Sequence, residues 1–437
     1  MKKLFSLLLV IAMIASMAAV AGAEESSGLS GKLTIRAWGA DAEAEQREAI
    51  IQAFIAAHPE LEVEYSIIPT ADSVWDQKAA AALTSGSAPD VIQMSPDYFG
   101  MNTKYYMDLR PFVERDGIDL DAVLVPGMID GYYDTDGKLE GFPMHANIFC
   151  MAINKDMFDE AGVPYPEEGW TLDDMMDWGK AFIGGEGAGK TYALAKHWVM
   201  NAAMPYAGGG APYADDLSEC YMNSEEIKKS LELYQRMILE GYMPNDAESQ
   251  AIPSAILFQS GLCAMYPLGG FEAESFLNDC EDNGINVGLV PMPMGVGEDA
   301  KEINVIYATG WAITTTAKNP DAAWAFIKGN AFAEEEMVKA TATCGMPAGK
   351  DVAENYYAKI EYQDFGTYFN DYMVEHLAKS HINPWGGTLA STGDIWANMV
   401  QAVTMDGMTP DEAMEKYSQQ CMDEFASYGF ATAMKAN

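Results

Sequence analysis

The chain has 437 residues, 49% hydrophobic and 21% charged, which is the balance of a soluble globular protein and too much length for one ordinary core, so two domains are expected. Its 26 basic and 65 acidic residues give a formal net charge of -39. A field of that sign repels phosphate backbones and anionic membrane surfaces, which excludes nucleic acid as an expected partner.

The chain opens with Lys2 and Lys3, an apolar run from Leu4 to Val20, and Ala21-Gly22-Ala23 before Glu24. Basic start, apolar middle and small-residue cleavage site make residues 1–23 a secretory signal peptide, with a mature start at Glu24. A retained membrane anchor is the alternative, and the clean cleavage site argues against it. Cleavage removes two basic residues and takes the formal charge to -41, 24 minus 65. The first cysteine is Cys150, so an N-terminal lipid anchor is not expected, and the product is exported to the periplasm or cell surface. Six cysteines follow (Cys150, Cys220, Cys263, Cys280, Cys344, Cys421) with no Cys-x-x-Cys. Six allow fifteen pairings, and both disulfides and free buried thiols stay open.

In chain order, LTIRAW (33–38) alternates as a strand, EAEQREAIIQAFIAAHPE carries Ala49, Ile50, Ala53, Phe54 and Ala57 on one helical face, and VEYSII is a second strand. Strand, helix, strand at this spacing is a βαβ unit and predicts a parallel sheet. A helix through DQKAAAALTSG and the short strand DVIQM follow. In such sheets ligands lie beyond the carboxyl ends of strands. Ala40 and Asp41 follow the first strand and Asp97 and Tyr98 the third.

Gly141 to Asp156 starts in a Gly-Pro corner, passes His145 and Asn147, and runs through the apolar IFCMAI (148–153), a crossing between two lobes. Beyond Gly162 a second lobe is expected. Thr171 with Asp174 predicts a capped helix start, and NSEEIKKSLELYQRMILEG is amphipathic along Ile227, Leu231, Tyr234 and Ile238. LCAMYP ends in Leu268-Gly269-Gly270-Phe271. VIYATGWAIT reads as a strand, Asn319 and Pro320 open a helix, and Thr409 to Glu412 repeats the cap, proline and acid pattern.

Ser85-Gly86 with Pro89-Asp90-Val91, GFPMHANIFCMAINKDMFDEAGVPYPEEGWTLDD, ATGWAIT with KNPDAAWAFIK, and DGMTPDEAM stand in one order along the mature chain. Together they resemble the extracellular solute-binding proteins of ABC transporters, in the sugar-type family that includes maltose-binding protein. The resemblance implies an α/β, two-lobed periplasmic-binding-protein type II-like fold, each lobe a mixed β-sheet flanked by helices, joined by a multi-strand hinge. It implies one lobe from residues 24–143 and 311–362 and another from 144–310 and 363–437, with Thr309 and Gly310 at a second hinge. It also implies a monomer that delivers a small-molecule carbohydrate, an oligosaccharide by expectation, to membrane permease subunits of an ABC importer. Ile153 replaces the family's crossover tyrosine, and Asn147 stands where some sugar binders place a ligand-bonding acid.

Sugar rings stack their C–H faces on aromatic rings, and their hydroxyls need fixed donors and acceptors. The candidate ligand residues are Trp38, Asp41, Asp97, Tyr98, His145, Asn147, Trp198, Gly270, Phe271, Thr309, Trp311 and Trp385. Each has a structural alternative: core packing for the aromatic rings, a helix cap for Asp97, hinge-fixing hydrogen bonds for His145 and Asn147. Trp170, Trp178 and Trp324 read as core. His197 beside Trp198 is a weaker candidate.

Gly184 to Thr191 (GGEGAGKT) matches the P-loop pattern letter for letter, yet a helix precedes it and a strand follows, the reverse of what phosphate binding requires, so it reads as a surface loop. There is no His-Glu-x-x-His and no Gly-x-Ser-x-Gly, and His376 and His381 are five apart, not at the spacing that sets two ligands on one helix face. No enzyme activity, metal or cofactor is expected. A binder of a non-sugar solute such as a peptide or polyamine, or an exported glycan-active enzyme, are the alternatives.

Overall fold

The computed structural model describes residues 28–39, 41–69, 74–96, 103–134, 136–214, 219–362, 365–382 and 390–427. The signal-peptide segment, Asp97, Tyr98 and Trp385 lie outside them, as does the side chain of Asp41.

Strand β1 (Gly31–Trp38) buries Leu33, Ile35 and Ala37 on one face, because alternate side chains of a strand point the same way. Helix α1 (Asp41–Ala57) lays Ile50, Ile51 and Phe54 on that side. Strand β2 (Leu61–Ile68) then pairs parallel to β1 in register from Gly31 with Leu61 to Trp38 with Ile68. Helix α2 (Val74–Ser85) leads to β3 (Val91–Met94), also parallel to β1 and buried throughout. These are the expected βαβ units.

The remaining strands are β4 (Phe142–Asn147), β5 (Phe149–Asn154), β6 (Tyr192–Leu194), β7 (Cys263–Gly269), β8 (Val287–Val290), β9 (Val305–Ile313), β10 (Met346–Pro347) and β11 (His381–Ile382). A larger sheet runs in the order β10-β4-β9-β3-β1-β2, with β11 paired to β9, and a smaller one runs β6-β7-β5-β8. The two-lobed α/β architecture follows from these two sheets.

Helices fill the faces. Helix α3 (Leu172–Trp178) starts in a reciprocal box between Thr171 and Asp174. Ser224 caps α4 (Glu225–Leu239), which buries Ile227, Leu231, Tyr234 and Ile238 as its periodicity predicts. Helix α5 (Ala273–Asp282) follows β7, and α6 (Pro320–Lys328) is capped by Asn319. Helices α7 (Glu335–Ala342), α8 (Tyr368–His376), α9 (Ala390–Thr404) and α10 (Pro410–Ser427) follow along the chain. Among the described residues no helix is long and apolar enough to cross a membrane.

The expected strand 148–153 is found one residue on as β5, and a separate strand, β4, precedes it. Residue Ile148 alone separates β4, in the larger sheet, from β5, in the smaller. The sheets also change later than 143 and earlier than 310 in the chain, because β4 pairs antiparallel with β9 from Phe142–Trp311 to Asn147–Tyr307 and both strands must share one sheet. At the break the side chain of Asn304 takes over from the ladder: its Nδ2 donates to the Phe149 carbonyl at 2.6 Å and its Oδ1 accepts the Phe149 N–H at 3.1 Å. Strand β5 then divides its faces by its period of two. Cys150 and Ala152 join the core that continues from the larger lobe, while Phe149, Met151 and Ile153 pack into the core of the smaller.

Candidate functional site: an aromatic wall over a polar floor

Four rings from separate elements meet on the smaller lobe. Trp198 follows β6, Phe271 follows β7, Phe149 begins β5, and Tyr307 comes from β9. Trp198 meets Tyr307 edge-on at 4.5 Å and Phe149 at 5.5 Å, with Phe271 at 6.3 Å. Loops after parallel β6 and β7 supply two of the rings, at the strand ends where open α/β sheets bind ligands. Trp198 is 49% exposed. A large aromatic ring fixed by neighbours yet open to solvent is a stacking surface.

Behind it, His197 is buried, and its Nδ1 accepts the Val199 N–H at 3.2 Å. That bond leaves Nε2 to carry the proton towards Glu272 Oε1, 3.6 Å away, while Glu272 Oε2 accepts from the Tyr266 hydroxyl at 3.1 Å. The pair fixes the loop on which Trp198 stands.

On the larger lobe Trp38 ends β1, half-buried against the edge of Trp75 at 5.1 Å, with its backbone N–H donating to Gln93 Oε1 at 3.0 Å. Below lies a buried polar group. Arg47 of α1 is 1% exposed; its Nη2 donates to Glu43 Oε1 at 3.0 Å and its Nη1 to Cys344 Sγ at 3.0 Å. Burial raises the Glu43 carboxyl above the usual carboxylate range against the attraction of Arg47. Burial, with the Arg47 charge, holds His145 well below the ordinary imidazole value, so the ring is neutral.

Asn147 Nδ2 donates to the Cys344 carbonyl at 3.0 Å, which fixes the orientation of the amide. The same nitrogen faces His145 Nδ1 at 3.2 Å, so Nδ1 accepts and the His145 proton sits on Nε2. His145 Nε2, Asn147 Oδ1, Arg47 Nε, Gln46 Oε1 and Gln93 Nε2 are buried with no hydrogen-bond partner among the described residues. Buried polar atoms are nearly always partnered, so these five, on α1, β3 and β4, make this region the candidate site for a polar ligand. A cavity of about 220 Å³ has Gln46 and Thr343 on one lobe and Gly270, Phe271 and Ser275 on the other, and of the five residues with unpartnered atoms Gln46 alone lines it. A larger groove of about 510 Å³ lies over Thr34, Arg36 and Asp90 of the larger sheet, but it sits on one lobe and lacks the aromatic wall.

Residues 40–334 match the family model described as bacterial extracellular solute-binding protein. This chain belongs to the bacterial extracellular solute-binding proteins. A mannitol-binding protein of Pseudomonas aeruginosa is 24% identical over 298 residues, covering 64% of this chain and 64% of the relative. The match thus spans slightly less than two thirds of that relative's length. By structure, an ABC substrate-binding protein of Listeria monocytogenes in complex with cycloalternan superposes with a TM-score of 0.77 at 20% identity, over 92% of this chain and all of the other. The acarbose-binding GacH receptor of Streptomyces glaucescens gives 0.73 at 20% identity over 92% of this chain and all of the other.

In this solute-binding protein, Trp38, Trp198 and Phe271 present aromatic surface, and His145, Asn147 and Gly270 meet at the floor, where a Cβ on Gly270 would lie 2.6 Å from Asn147 Oδ1. Thr309 is buried and pairs with His145 across the β4–β9 ladder, so it supports the floor from behind. Trp311 is corrected. It is fully buried, its indole Nε1 donates to Asn330 Oδ1 at 2.6 Å and it packs edge-on against Phe326, because β9 is an interior strand covered on both faces. Trp170 and Trp324 are core as expected, and Trp178 stacks on Trp170.

The solute-binding protein's GGEGAGKT segment is a closed turn. Gly184 bridges Thr191, β6 follows, and Lys190 pairs with Glu248 at 2.7 Å.

Sequence reasoning missed Phe149, Tyr307, Glu43, Arg47 and Gln93. A signal for Glu43 and Arg47 was present: with Ile50, Ile51 and Phe54 they share the stripe that α1 buries, and an ion pair on an apolar stripe is unusual. Nothing local marks Tyr307, which acquires its role only when β9 brings it beside Trp198.

Proposed function

We propose that this protein captures a neutral carbohydrate, an oligosaccharide or polyol, between its lobes and delivers it to the permease of an ABC importer. The observation that carries this reading is the exposed Trp198 wall standing with the five unpartnered donors and acceptors of the floor. Sugar hydroxyls both donate and accept, so one ligand answers His145 Nε2–H and Asn147 Oδ1 together. The floor's one cation, Arg47, already faces Glu43, which favours a neutral ligand over an acidic one. The ligands named for the relatives, mannitol, cycloalternan and acarbose, are in keeping with it.

Closure is favoured by contacts made to both lobes at once, and the permease then recognises the closed form. The protein acts as an exported monomer that returns its ligand unchanged. Thermal unfolding against a panel of alditols, mono- and oligosaccharides tests the reading, since a ligand of the native state raises Tm. A carbohydrate that raises Tm and binds by calorimetry supports it. Heat only with peptides or polyamines overturns it, and product formation from the bound glycan would make the protein an enzyme.

A further inference from the structure

All six cysteines are buried and reduced in the structure. Burial raises the thiols of Cys150, Cys263, Cys280 and Cys344, the second and third to about 12, which makes them inert packing groups. Cys220 and Cys421 differ. They are 201 residues apart in sequence, yet their sulfurs lie 3.9 Å from each other inside the smaller lobe. Cys220 closes a short antiparallel bridge with Tyr213, and Cys421 faces inward from α10, its sulfur 3.6 Å from the Tyr213 hydroxyl. The neighbouring Cys421 thiol lowers Cys220, whereas Cys421 itself is pushed up by Cys220 and by burial.

We propose that Cys220 and Cys421 form a disulfide in the exported protein, tying helix α10 to the Tyr213–Cys220 bridge. The sulfurs need to close by about 1.9 Å to reach the ~2.0 Å of a bonded pair. The oxidant is a protein or small-molecule disulfide met during folding outside the cytoplasm. The Cys220 thiolate attacks one sulfur of that disulfide and releases its partner as a thiol. The Cys421 thiolate then attacks Cys220 Sγ of the mixed disulfide and releases the second thiol. Two protons leave the cysteines and two electrons reduce the donor, so the exchange balances. The bond closes a long loop, the case in which a crosslink most restricts the unfolded chain.

The test uses the full mature chain secreted into an oxidising compartment. Thiol titration in denaturant should give four free thiols, six less two, and non-reducing peptide mapping should show the Cys220 and Cys421 peptides joined and two mass units light. Reductant should lower Tm by about 5 °C or more. Cys421→Ser should give five free thiols, a lower Tm and no further response to reductant, and Cys220→Ser should do the same. Six free thiols, or a bond mapped to any other pair, overturns the proposal. Either result leaves the carbohydrate reading untouched.

Discussion

The Asn304 side chain hydrogen-bonds both backbone groups of Phe149, standing in for a strand where the chain passes between sheets. Asn304 is fully buried, so a residue without an amide leaves a donor and an acceptor of Phe149 unmet. Asn304→Leu is therefore expected to cost about 2–6 kcal/mol, two unsatisfied groups at their ordinary penalty. Urea unfolding should show a lower midpoint at unchanged slope; an unchanged midpoint would mean that the bonds hold nothing.

Two tryptophans should behave oppositely. Trp198→Ala removes a half-exposed ring and should weaken carbohydrate binding at least about tenfold, with stability changed by less than about 1 kcal/mol. Trp311→Ala empties a buried site and should cost about 3–5 kcal/mol. Calorimetry and chemical unfolding on the two variants separate the roles, and comparable effects on both measurements would refute the division.

Gly270 and Gly345 approach the Asn147 amide from the two lobes, and a Cβ on either would lie within 2.6 Å of it. Gly270→Ala should displace Asn147 or the ring of Phe369, costing about 1–3 kcal/mol and weakening ligand binding. Gly189→Ala meets nothing within 4 Å and is the control, expected within about 0.5 kcal/mol of the parent. Equal unfolding midpoints for the two variants would show that the floor has room to spare.

Asp90 gives a pH dependence. Burial pushes its carboxyl up, but hydrogen bonds from the Thr34 hydroxyl and from the backbone of Lys318, Thr34 and Asn319 outweigh this and hold it below the usual value. A depressed carboxyl stabilises the fold above its unfolded pKa, about 3.9, and loses that contribution as pH falls further. Asp90→Asn should cost about 1–3 kcal/mol at pH 7, with the gap to the parent narrowing below about pH 4. A gap constant from pH 3 to pH 7 would remove the charge from the explanation.

The order of elements was legible because local periodicity carries it: Leu33, Ile35 and Ala37 alternate, and Ile227, Leu231, Tyr234 and Ile238 recur along a helix. The wall was legible in part, since Trp198 and Phe271 stand in loops after strands. The floor was not. Arg47 makes sense only once Cys344, 297 residues on, arrives beside it, and no local pattern encodes a contact of that range. Trp311 and Trp198 look alike in sequence because the covering of β9 on both faces is set by sheet order, which alternation does not reveal.

Ile148, the single residue between β4 and β5, has its N–H directed to the Met373 sulfur of α8 at 3.3 Å. A thioether is a weak acceptor, so this joint is latched softly where its neighbours are held by carbonyl and carboxamide oxygens. Turning the chain at Ile148 would therefore give up less than the rupture of a ladder bond on either side.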